Sequence, residues 1–201
     1  AESGHELSGL VWFQGWNDMV GRDVYPNRDN AGGYDLYSKL MAQFIRDVRK
    51  DLSAPQLPFV IGVMGAGGPV ANYGPSQQRY STVHQNFREA MAAPASLPDF
   101  KGNVTAVLTE IYWDAELDEL KSRGGKIKVK SQELSKDNTL TRAQRDEALA
   151  KFRAELYTPR EIEILKGSSN AGYHYNGSAK IMAQIGKGFA DAIEKMTPST
   201  K

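Results

Sequence analysis

Cysteine is absent from the 201 residues, which excludes disulfides, thiolate metal ligands and a cysteine nucleophile. That absence says little about compartment, because a chain of this length can bury enough apolar surface to fold without cross-links. Histidine is scarce, and His5, His84 and His174 are too dispersed to suggest a metal cluster. No apolar stretch approaches the roughly 18–20 residues needed to span a bilayer, and the opening Ala1-Glu-Ser-Gly-His-Glu6 lacks the charged start and apolar centre of a signal peptide. Neither sign of charge is in excess. Lys and Arg total 25 against 24 Asp and Glu, a net charge of +1, so nothing argues for nucleic acid, an anionic membrane or an acidic partner. The glycine-rich loops contain neither Gly-x-Gly-x-x-Gly nor Gly-Lys-Ser/Thr, which weighs against a nucleotide phosphate cradle.

What is present is the make-up of a soluble globular domain, with 40% apolar and 24% charged residues. The chain is organised around Gly9-Leu-Val-Trp-Phe-Gln-Gly-Trp-Asn-Asp18. Leu7 to Gln14 predicts a strand, and the unbroken run Leu10–Phe13 reads as one buried on both faces. Gly15 permits a tight turn, and Asn17 and Asp18 follow just past the strand's carboxyl end, where open α/β sheets bind ligands. An Asx-turn or helix cap is the structural alternative for those two residues. Residues 1–6 read as a loose lead-in and Gly21 to Gly33 as a surface loop able to shape a pocket.

From Tyr34 to Leu52, Leu36, Leu40, Phe44, Ile45, Val48 and Leu52 recur at helical spacing, with Lys39, Arg46, Arg49 and Lys50 on other faces. Phe59–Met64 is a second buried strand, so strand, helix and strand imply a right-handed parallel crossover. A helix follows over Ser76–Met91, with Ser76 as its cap and Val83, Phe87, Ala90 and Met91 inward. Val104–Leu108 is a third strand, extended towards Tyr112. Residues 114–169 form a helical insertion, with helices at Ala115–Arg123 and Arg142–Lys166, the latter interrupted by Pro159, and a polar stretch from Gly124 to Thr139 between them. Alternating charges make this a solvated excursion, with a lid or partner-binding element as the alternative. A turn-rich loop, 168–178, leads into a last helix at Ala179–Met196 whose core stripe is Met182, Ile185, Phe189, Ala192, Ile193 and Met196.

Gly15-Trp16-Asn17-Asp18 resembles the third conserved block of the SGNH hydrolases, and the longer Val-Trp-Phe-Gln-Gly form resembles the sialate O-acetylesterase branch of carbohydrate esterases. Tyr173-His174-Tyr-Asn-Gly-Ser178 before the last helix is similar to that family's histidine block. The resemblance implies an α/β fold, a three-layer parallel sheet flanked by helices of SGNH or flavodoxin-like type. All of 1–201 then forms one domain, the C-terminal part of an SGNH-type domain, incomplete and with the helical insertion before the last helix. It implies His174 as general base, Asn17 as oxyanion-hole donor, and Gln14, Gly15, Trp16 and Tyr173 as substrate-binding residues. For His174 alone, satisfying helix-terminal backbone groups is the competing role.

Two blocks depart from the pattern. The family's Asp-x-x-His has Ala171 at its first position here, which leaves Asp114, ahead of Glu110, as the expected orienting carboxylate. The nucleophile block, Gly-Asp-Ser or Gly-Gln-Ser-Asn, is not in the sequence, so the serine is expected on a separate N-terminal segment or companion chain. The implied function is serine-type O-acetylesterase chemistry on acetylated carbohydrate, without metal or other cofactor, in a secreted or periplasmic protein. A non-catalytic carbohydrate-binding or scaffold module that retains the pocket is the alternative. A weaker one is an assembly subunit pairing through an exposed sheet edge.

Overall fold

The computed structural model describes Gly4 and residues 6–197. His5 and most of the expected lead-in lie outside them. In chain order the elements are β1 (Leu10–Trp12), α1 (Trp16–Val20), α2 (Asp35–Asp51), β2 (Phe59–Val63), α3 (Ser81–Ala92), β3 (Val104–Leu108), α4 (Ala115–Arg123), α5 (Gly125–Lys136), α6 (Arg142–Leu156), α7 (Pro159–Lys166) and α8 (Ala179–Met196). They divide into two compact units, one of residues 1–113 with 181–201 and the other of residues 114–180.

In the first unit the three strands form a parallel sheet in the order β1-β2-β3. Phe59 lies opposite both Leu10 and Val104, so the register advances evenly across the sheet. Strand side chains alternate between faces. Phe59, Ile61 and Val63 point into the core shared with Tyr37, Met41 and Ile45 of α2 and Val83, Phe87 and Met91 of α3. On the other face, Gly62 has no side chain because Phe13 and the α8 residue Phe189 fill its place: a Cβ there would lie 2.6 Å from Phe13 and 2.7 Å from Phe189. The α8 residue Met196 reaches Thr105 at 3.2 Å on β3. Helices on both faces of a parallel sheet make the expected three-layer α/β architecture.

Several local expectations shift. β1 covers Leu10–Trp12 only, and Val11 is 38% exposed, because β1 is paired on one side only and lies at the edge of the described sheet. The chain beyond β3 turns into a short 3-10 segment, Thr109–Tyr112, instead of extending the strand. α3 begins at Ser81, so Ser76 is not its cap. On α8, Ile181 takes the core position expected of Met182, which is 46% exposed.

Arg49, expected on an outer face, is buried. Its guanidinium donates to the Leu57 carbonyl at 2.8 and 3.1 Å and to the Asn103 carbonyl and side chain at 2.9 Å each, tying the end of α2 to the starts of β2 and β3. A buried guanidinium is tolerable only with its donors satisfied in this way.

The second unit is helical throughout. The polar stretch after α4 is α5, which packs on α6, and α4 packs on α7. Thr141 and Thr158 open α6 and α7 with complete capping boxes, and the break before Pro159 places that proline in the first turn of α7.

Candidate functional site

Polar side chains gather where β1 gives way to α1. The chain leaves the sheet through Phe13 and Gln14, and Gly15 lies directly under the Phe87 ring, where a Cβ would come within 2.9 Å of two ring carbons. The Gly15 carbonyl then accepts from Met19 N–H at 2.9 Å, closing the single turn of α1. That turn exposes Asn17, while the Gln14 side-chain amide donates to Asp18 at 3.1 Å. Gln14, Gly15, Trp16 and Asn17 therefore share one tight turn at a strand's carboxyl end.

Behind Trp16 lies a polar chain that sequence reasoning missed. The Trp16 ring meets His84 edge-on at 6.4 Å. His84 Nδ1 lies 2.6 Å from the Tyr73 hydroxyl, which accepts from Arg88 at 3.2 Å. Arg88, buried, also donates to the Ala66 and Gly68 carbonyls at 3.1 and 3.0 Å and pairs with the Glu110 carboxylate. Glycine makes this possible at position 65, since a Cβ there would lie 2.0 Å from the Glu110 backbone nitrogen. Burial, then the positive charges of Arg88 and Arg28, lowers the His84 pKa to about 4, so its imidazole is neutral. The available signal was His84 and Arg88 one helical turn apart beside the Val83–Phe87 stripe. Neither residue type there suggests a network without Tyr73 from another loop.

Beside His84 opens a pocket of about 370 Å³ lined by Arg22, Arg28, Asp29, Arg79, Tyr80 and His84 over an apolar floor.

In the second unit, His174 lies exposed in the 3-10 segment Gly172–Gly177, with its ring centroid 4.4 Å from that of Tyr173. Tyr175, Asn176 and Gly177 follow with φ of 51°, 60° and 58°, three consecutive left-handed residues of which two carry side chains. The Asn176 carbonyl accepts from the Ser169 and Asn170 amides at 3.1 Å each and from the Ser168 hydroxyl at 2.9 Å, which holds this costly conformation. Asp114 is the N-cap of α4: one carboxylate oxygen accepts from Leu117 N–H at 3.1 Å and the other from Lys180 at 2.7 Å. Partial burial pushes its pKa up, but the Lys180 ammonium and the Leu117 amide outweigh it and hold the carboxyl below the usual range. Glu110 is committed to Arg88 in the first unit.

No curated protein and no solved structure matches the chain. A family model does: that of the carbohydrate esterases called sialic acid-specific acetylesterases matches residues 1–99, just under half of the sequence, a span that includes the Gly15–Asp18 turn, Tyr73, His84 and Arg88. Through this segment the chain is similar to the sialic acid-specific acetylesterases of the carbohydrate esterases.

Proposed function

We propose that the protein acts as a serine-type carbohydrate O-acetylesterase whose nucleophilic serine lies outside these 201 residues. The observation that supports this most is the Gly15–Asp18 turn, which lies in the family-matched segment and exposes the Asn17 amide at the carboxyl end of a parallel strand. The serine oxygen attacks the acetyl carbonyl while His174 takes its proton. Negative charge develops on the carbonyl oxygen, and Asn17 Nδ2–H donates to it. Collapse breaks the bond to the sugar oxygen, which leaves with the proton from His174; water then releases acetate by the same steps in reverse order of groups. Asp114 is assigned to orient His174, a role in which the imidazole N–H replaces Lys180 at one carboxylate oxygen. Left-handed backbone stored next to His174 supports a working role for that loop, since such strain concentrates at functional sites. Gln14, Trp16 and Tyr173 contact the sugar, and an exported location belongs to the same reading.

Ser76, Ser168, Ser169 and Ser178 have no nucleophile motif around them. Ser168 bridges Lys121 and the Asn176 carbonyl, Ser169 donates to Gly177, Ser178 is buried, and Ser76 lies in an exposed turn. That observation also favours the second reading, a carbohydrate-binding module without a nucleophile. Acetate release from acetylated sugars by the full-length protein decides between them. Esterase action predicts that Asn17→Ala lowers kcat by about 100- to 1,000-fold and that His174→Ala abolishes turnover with folding unchanged. Sugar binding without hydrolysis by the wild type establishes the module instead.

A further inference from the structure

Trp16 sits in the turn of the candidate site, yet the segment that carries it has little stiffness of its own. α1 is five residues long, a single turn without a side-chain cap, and one turn of helix does not support itself. Gly15, packed under Phe87, fixes where the backbone of the turn begins. The set of the indole then depends on what its ring touches. Trp16 packs on the core and stays partly exposed, and its ring meets His84 edge-on at 6.4 Å between centroids.

His84 is an unusually well-held neighbour. Its Nδ1 lies 2.6 Å from the Tyr73 hydroxyl, the Tyr73 ring stands edge-on to it at 5.6 Å, and Tyr80 stacks on its face with 16° between the planes. Both phenols are braced in turn. The Arg79 guanidinium packs over the Tyr80 ring, and Arg88 donates to the Tyr73 oxygen while it holds the Ala66 and Gly68 carbonyls and Glu110. Contacts therefore run from Glu110 after β3, through Tyr73 in the loop after β2, to Trp16 in the turn after β1. The imidazole is neutral, so it packs against indole and phenol without a charge to solvate. A phenylalanine would keep the stack on Tyr80 and lose the bond to Tyr73.

We propose that His84 is a positioning residue that acts through Trp16, holding the indole in the orientation that receives a sugar ring before the ligand arrives. The inference rests on the reading of Trp16 as a sugar contact and deepens it. An indole released from His84 has to be ordered on binding, and immobilising one side chain weakens affinity by about three- to tenfold.

The test is NMR on the nitrogen-15-labelled full-length protein, with the Trp16 indole N–H signal assigned by its loss in Trp16→Phe. Methyl β-glucoside, methyl β-galactoside and methyl β-xyloside are the probes. In the wild type a glycoside is expected to shift the Trp16 signal saturably, and relaxation to show an ordered indole. His84→Ala is expected to make that indole mobile, leave the Trp12 and Trp113 signals ordered, and lower affinity about three- to tenfold. Added to Trp16→Ala, it lowers affinity no further, because it acts through the side chain already removed. Tyr80→Ala, at a residue 45% exposed, removes the stack on His84 and gives a smaller loss in the same direction, and it carries the test if His84→Ala does not fold. An ordered Trp16 indole in the variants, unchanged affinity, additive losses in the double variant, or no glycoside binding by the wild type overturns the proposal. Acetate release is measured separately: an active esterase whose sugar affinity ignores His84 sinks this inference alone, and sugar binding of the expected kind without hydrolysis sinks the esterase reading alone.

Discussion

Gly15→Ala probes the turn on which the candidate site is built. The added methyl would lie 2.9 Å from Cε1 and Cζ of Phe87 and 3.4 Å from the end of Met91. Phe87 has no exposed surface, and its ring is pinned by Tyr34 and Tyr37, centroids 4.9 and 4.8 Å away in edge-on contact. It cannot retreat without displacing α2, so the strain is shared among rigid rings and the backbone of the turn. Overpacking of this kind costs about 1–3 kcal/mol, and at about 2–4 °C per kcal/mol for a chain of this size the melting temperature falls by about 2–12 °C. Phe87→Leu removes the obstructing carbons. In that background Gly15→Ala is expected to cost at least about 1 kcal/mol less than in the wild type, a coupling that separated sites do not show. Urea denaturation of the four proteins in the cycle measures it. Additive costs, or a Gly15→Ala protein within about 0.5 kcal/mol of wild type, would refute the claim that glycine is required there for packing against Phe87.

Glu110→Gln leaves the Arg88 guanidinium buried with carbonyl and hydroxyl partners but no counter-charge, and a loss of about 2–4 kcal/mol by urea denaturation is expected. His84, whose pKa falls from 6.5 unfolded to about 4 folded, makes the unfolded state bind the extra proton between those values. Its contribution is complete above pH 6.5 and is lost as pH falls towards 4; the stability difference between wild type and His84→Asn should shrink over that interval, and a difference independent of pH would count against the neutral imidazole. Thr158→Ala opens the capping box of α7 and should raise amide exchange in its first turn by the equivalent of about 1 kcal/mol, with α4 less affected.

The fold was legible where one residue type at one spacing decides the structure. α8 is bounded at Ala179–Met196 and α4 at Ala115–Arg123, both as the periodicity predicts, and β2 is buried along its whole length. Legibility ended where a tertiary partner overrides the pattern. Arg49 reads as an outer-face cation because its charge does, yet two carbonyls from the starts of other strands make the inner face its better place. α5, with lysines at 126, 128 and 130 and glycines at its N-cap and first position, has weak amphipathy of its own and is helical because α6 packs along it.

The same division runs through the candidate site. Gly15, Trp16 and Asn17 were legible because a strand, a turn and a polar pair are consecutive in sequence, so local rules suffice to place them together. The Tyr73–His84–Arg88–Glu110 chain joins a glycine-rich loop, a helix and the turn after a strand, and each residue alone has an ordinary surface reading. What made it necessary is physical: Arg88 is buried at the carboxyl end of the sheet, where two loop carbonyls, a phenol and a carboxylate together satisfy it. That buried positive charge makes the Tyr73 oxygen an acceptor and, together with burial, keeps the neighbouring His84 imidazole neutral. A network that looks like scaffold thus sets the charge state of the histidine that meets Trp16.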